Sequence, residues 1–136
     1  MSGRAFVRAV LAVAVSLAVA APPAATGADA GRARAKVTFE LGERAGFEYR
    51  WEYNVHVRIR DRATGRPLPG LRVVATGHMS APGHAMTTFA ARIRDTGDGV
   101  YAGKIAFYMP GEWSVRVSVR GAFILPALTT FRISLR

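Results

Sequence analysis

A chain of 136 residues, half of them apolar, has room for one folded domain and little else, and its complete lack of cysteine excludes disulfides and thiolate metal sites alike. The formal charge of +10 comes almost wholly from arginine. Those arginines recur singly on the polar side of alternating patterns, which favours a solvated basic face drawn to anionic membrane headgroups and disfavours nucleic-acid binding.

Arg4 and Arg8 precede an apolar run from Ala9 to Ala21, followed by Pro22, Pro23 and small residues, which is the order of a secretory signal. The run is short for a bilayer span. Small-x-small sites at Ala18-Val19-Ala20 and Ala28-Asp29-Ala30 both offer cleavage, so residues 1–30 are read as a signal peptide and processing region, with an uncleaved membrane anchor as the alternative. Removing them takes away Arg4, Arg8 and Asp29 and leaves +9. The expected location is periplasmic or extracellular.

Residues 31–36 are small and basic and read as a flexible lead-in to a domain spanning 37–136. Val37, Phe39 and Leu41 alternate with polar residues and predict a first strand. Gly42 to Trp51, with Gly46, Phe47 and Tyr49, shows no clean period and is expected to be a loop or irregular edge. Alternation is strongest where Tyr53, Val55, Val57 and Ile59 face inward against Asn54, His56, Arg58 and Arg60. Leu68-Pro69-Gly70 has proline and glycine where a type II turn prefers them. Leu71, Val73, Ala75, Gly77 and Met79 then form the inner row of the next strand.

Beyond Pro82-Gly83, Thr87, Phe89, Ala91 and Ile93 predict the inner row of one continuous strand, and Asp95 to Gly99 predicts a tight reversal. Tyr101, Gly103, Ile105, Phe107 and Met109 share a face until Pro110-Gly111 ends the strand. Trp113, Val115, Val117 and Val119 are inward again, and Phe131, Ile133 and Leu135 belong to a last strand. No window shows a capped helical period, so the expected fold is all-β, an immunoglobulin-like antiparallel β-sandwich of about seven strands. Trp113 should be its largest single core contributor, and Trp113→Ala should cost about 3–5 kcal/mol if the ring is fully buried.

The stretch from Gly77 to Met86 holds two of the three histidines and two of the four methionines. Thioether sulfur is soft and neutral, so methionine joined by histidine suits Cu(I), and without cysteine it is the soft ligand this chain has. Alternation puts His78 on an outward row, and counting from Thr88 and Ala90 puts Met86 there too. His84 lies in the connection between, so these three can meet on one side. Met79 and Met109 belong to inner rows at strand ends, where methionine is equally a filler of irregular core gaps. His56 stands among arginines and reads as a surface residue. Catalysis is disfavoured: the chain has no cysteine nucleophile, no Gly-x-Ser-x-Gly elbow and no His-Glu-x-x-His helix, and Asp95 and Asp98 suit turn chemistry. We therefore expect a non-enzyme.

Several segments together resemble a known family. Pro69-Gly70-Leu71-Arg72-Val73, His78-Met79 with His84-Ala85-Met86, Asp98-Gly99-Val100-Tyr101 and Met109-Pro110-Gly111-Glu112-Trp113 are similar to the YtkA-like domain, with relatives among FixH-type and CopC-like exported sandwiches. The resemblance implies an exported β-sandwich concerned with copper handling or respiratory oxidase assembly. It implies copper contacts at His78, Met79, His84, Met86 and Met109, and a copper donor or acceptor protein of the cell envelope as partner. The chain departs from FixH-type proteins in lacking a clear permanent membrane span. A carrier or buffer of Cu(I) is the leading expectation, and an immunoglobulin-like interaction module without metal is the alternative.

Overall fold

The computed structural model describes residues 31–45, 51–81 and 83–136. The expected signal peptide, the loop residues Gly46, Phe47 and Tyr49, and Pro82 lie outside the described residues, and His84 is described through its backbone alone. Among the described residues eight strands follow in order: β1 Ala35–Arg44, β2 Glu52–Asp61, β3 Arg72–Ala81, β4 His84–Thr87, β5 Ala91–Gly97, β6 Val100–Ala106, β7 Gly111–Arg120 and β8 Ala127–Leu135.

All neighbouring strands are antiparallel, in the order β1-β2-β6-β5-β3-β7-β8, with β4 paired to the end of β3. One layer is β1-β2-β6 and the other β3-β7-β8. β5 joins them by changing partners along its length: Ala91 to Ile93 pair with β3, and Arg94 to Gly97 pair with β6. The sheet is nearly closed at its other side, where Phe39 of β1 stacks on Phe131 of β8 with ring centroids 5.4 Å apart. Ala33 also bridges Ile124, so backbone pairing begins before β1, within the expected lead-in.

The inward rows follow the alternation. Val55, Val57, Ile59, Val73, Ala75, Ile93, Tyr101, Ile105, Val115, Val117 and Val119 are buried, and Trp113 is the largest fully buried side chain. These rows remove from water the apolar area that drives the layers together. Tight turns set the registers. Gly97 pairs with Val100 across Asp98-Gly99, and both turn residues have positive φ, 53° and 72°, as a two-residue hairpin of the I′ kind requires. A Cβ on Gly99 would lie 2.6 Å from the Ile59 carbonyl oxygen, so glycine is obligatory there.

One strand differs from expectation. The inner row predicted from Thr87 through Phe89 to Ile93 is broken into β4 and β5, giving eight strands where about seven are expected. Thr88 turns inward: its amide donates to the Gly77 carbonyl at 2.9 Å, and its Oγ1 accepts from the Gly77 amide at 2.8 Å. With both polar groups satisfied by β3, Thr88 is buried, and Phe89 is left 85% exposed.

Candidate functional site

The chain reverses between Ala81 and His84, with Gly83 at φ 80°, and the β3–β4 register is Ala81↔His84, Ser80↔Ala85, Met79↔Met86 and His78↔Thr87. Directly opposed residues of an antiparallel pair share a face. Met86 therefore joins Met79 on the core side, which corrects the outward placement inferred from Thr88 and Ala90. Met79 is 6% exposed, and Met86 is half-buried against the same core. His78 is on the other face of β3, where its Nδ1 is 3.2 Å from Thr87 Oγ1. The outward group expected from His78, His84 and Met86 thus loses Met86 to the inner side.

The second half of the site comes from the connection between β6 and β7. Met109 packs half-buried against the core, and its carbonyl accepts from Trp113 Nε1 at 3.0 Å. That bond ties the connection to the largest buried ring. Gly111, at φ 131°, opens β7 beside Met79: a Cβ there would be 3.0 Å from the Met79 Cε. The β3 end, β4 and the 109–113 segment accordingly lie at one pole of the sandwich. Below them Phe107 meets Trp113 edge-on at 5.1 Å and Tyr53 at 6.2 Å, and the Phe107 amide donates to the Trp51 carbonyl.

The pole therefore carries an aromatic cluster of Phe107, Trp113 and Tyr53 with buried Met79 and half-buried Met86 and Met109 packed against the same core. Among the described residues no three of the histidines and acids gather into a group able to hold a metal. His56 is exposed on the outer face of β2, opposite Glu40 and Ala102. Gly111, Gly77 and Phe107 also shape this pole, Gly77 and Phe107 from the inner rows on which the sequence places them and Gly111 from the Met109–Trp113 segment that carries the family resemblance. The signal at Gly111 is slight, since glycine after proline reads as a strand terminator. The groups with clear pKa shifts are elsewhere. Hydrogen bonds from the Gly70 and Gly97 amides hold Asp95 below the ordinary carboxylate range, against a small opposing effect of burial. Burial pushes the Tyr101 phenol up, partly offset by the Leu71 amide and reinforced by the charge of Asp95.

Set against known proteins, residues 32–118 match the YtkA-like family model, a span that runs from ahead of β1 to within β7 and contains the whole methionine pole. The chain belongs to the YtkA-like family. No curated protein matches it. In this YtkA-like chain β8, which completes the second layer against β7, lies beyond the matched span. Among the described residues no helix is long and apolar enough to cross a membrane.

Proposed function

We propose that this protein is an exported Cu(I) carrier or buffer of the cell envelope that exchanges the ion with a copper donor or acceptor protein and catalyses no reaction. The observation that carries the reading is the opposition of Met79 and Met86 on the core face of β3 and β4, with Gly111 leaving space at the Met79 methyl and Met109 two residues before it. The donor set fits a soft monovalent ion. Met79, Met86 and Met109 would hold it, and His84, two residues before Met86 in the sequence, is kept as the nitrogen ligand that the family resemblance implies. Copper supplies no chemistry here beyond its own transfer. The protein's part is to offer thioethers in an apolar recess and to keep water from the ion. His78 stands on the opposite face of the sheet and is left out of this set.

Competition against a Cu(I) chelator tests the proposal. Wild-type protein and His78→Ala should take one equivalent with the same affinity, while Met86→Leu combined with Met109→Leu should lose it. Undiminished binding by the double variant would sink the thioether assignment.

The alternative, an immunoglobulin-like interaction module, draws on Phe89 and Tyr108, which are 85% and 50% exposed. They follow Thr88 and Phe107, the two residues that close around Gly77, so both aromatics border the same pole. As a pure docking module the protein would show no change in thermal stability with added Cu(I). As a carrier it should be stabilised by the ion through mass action.

A further inference from the structure

We infer that the pole opposite the methionines is a docking surface for anionic phospholipid bilayers, with Phe123 and Leu128 entering the membrane and flanking arginines holding its phosphates. The inference is independent of copper. Phe123 and Leu128 are 83% and 69% exposed, the most solvent-accessible large apolar side chains at that end of the sandwich. Arg120 ends β7 three residues before Phe123 and is paired with Arg72 of β3, and both are exposed on the outer face where Leu128 stands opposite Ser118.

Two further cations come from the chain entry. The Ala33 amide donates to the Phe123 carbonyl and the Leu125 amide donates to the Ala33 carbonyl, both at 2.9 Å. Exposed Arg32 and Arg34 are thereby brought alongside the Phe123 loop. Where β5 leaves β3 for β6, an open groove of about 440 Å³ is lined by Arg72, Arg92 and Arg94. Three carboxylates share this end with the six arginines named above: Asp61 accepts from the Ala63 amide, Asp95, which also lines the groove, accepts from the Gly70 and Gly97 amides, and Asp98 is exposed in the β5–β6 turn.

Arginines alone would attract any polyanion, but exposed phenyl and isobutyl groups standing out among them gain only from a surface with hydrocarbon beneath its charges. The direction of the chain agrees. The apolar run Ala9 to Ala21 lies upstream of Gly31, and the backbone enters the domain beside Phe123, so a leader in a membrane and the Phe123 loop would approach it from the same end. Phe123 and Leu128 lie beyond the span matched by the family model, while Arg32, Arg34, Arg72, Arg92 and Arg94 lie within it.

The lack of cysteine allows a direct test on the full chain. Phe123→Cys carrying an environment-sensitive dye should blue-shift on vesicles containing phosphatidylglycerol and stay unchanged on phosphatidylcholine alone. A Phe89→Cys label at the methionine pole should not respond to either. Adding Arg72→Gln and Arg120→Gln should weaken the Phe123 response about tenfold, and about 0.5 M salt should largely abolish it. Anchoring by residues 1–30 would bring position 123 close to either kind of vesicle, so the difference between phosphatidylglycerol and phosphatidylcholine is what reads the surface itself. No shift at position 123, equal shifts at both poles, or the same shift with a soluble polyanion such as heparin would overturn the inference.

Discussion

Met86 stands directly opposite Met79 across the β3–β4 ladder, and both side chains belong to the core side of the sheet. A methionine in that position has two separable roles, filling space and offering sulfur. Leucine preserves the first and removes the second. Met79→Leu should therefore cost less than about 1.5 kcal/mol in denaturant unfolding, as volume-conserving core swaps do. Its Cu(I) affinity should fall at least about tenfold, the scale on which metal sites respond to loss of a supporting group. Equal affinity with equal stability would mean that Met79 is packing alone.

Thr88 joins β3 to the segment after β4 through two hydrogen bonds with Gly77 and is buried. Thr88→Val keeps the shape but leaves the Gly77 amide without its acceptor in the interior. The expected loss is about 1–3 kcal/mol, read from the urea midpoint at unchanged slope. A neutral result would show that the Gly77 amide finds water there.

How much of this was legible in the residues depends on how each side chain settles its polar groups. Rows such as Val55, Val57 and Ile59 announce themselves because their neighbours His56 and Arg58 belong in water. Thr88 misleads because a hydroxyl satisfied by a neighbouring amide can be buried, and this shifts the inward phase by one residue and pushes Phe89 outside. The placement of Met86 fails for the same reason, being counted from Thr88. Counting instead across Pro82-Gly83 as a two-residue turn would have put it opposite Met79. Nothing in Ala91 to Gly97 announces that β5 changes partners midway, since both halves need the same alternation. The gathering of Met109, Gly111 and Met79 at one pole is likewise a product of strand order, which local pattern does not encode.

Tyr101 is fully buried, and its hydroxyl donates to the Leu68 carbonyl at 2.6 Å while accepting from the Leu71 amide at 3.1 Å. It pins both sides of the Pro69-Gly70 turn to β6. Tyr101→Phe should lower stability by about 1–3 kcal/mol, because two backbone groups lose their partner. The phenol's raised pKa adds a pH signature. Its contribution is fully present below the ordinary tyrosine value of about 10 and is lost as pH climbs through the folded-state value. Thermal midpoints should thus fall more steeply for wild type than for Tyr101→Phe above about pH 10. Parallel curves would show that the phenol ionises as easily in the folded protein as in the unfolded chain.

Asp95 closes the opposite limb of the pH profile. Its two oxygens accept from the Gly70 amide at 2.8 Å and the Gly97 amide at 2.9 Å, tying the β2–β3 turn to the β5–β6 hairpin, and both bonds favour the ionised form. A carboxylate with a depressed folded-state pKa stabilises the protein at pH values above its unfolded pKa, and the benefit disappears as pH falls through the folded-state value. An asparagine side chain in place of the acid presents one oxygen acceptor and no charge. The thermal midpoint of Asp95→Asn should accordingly lie below that of wild type at neutral pH, and the gap should narrow steadily below about pH 4. A gap that stayed constant down to about pH 2 would show that the side chain acts through shape and neutral hydrogen bonding, with its charge irrelevant to the turn.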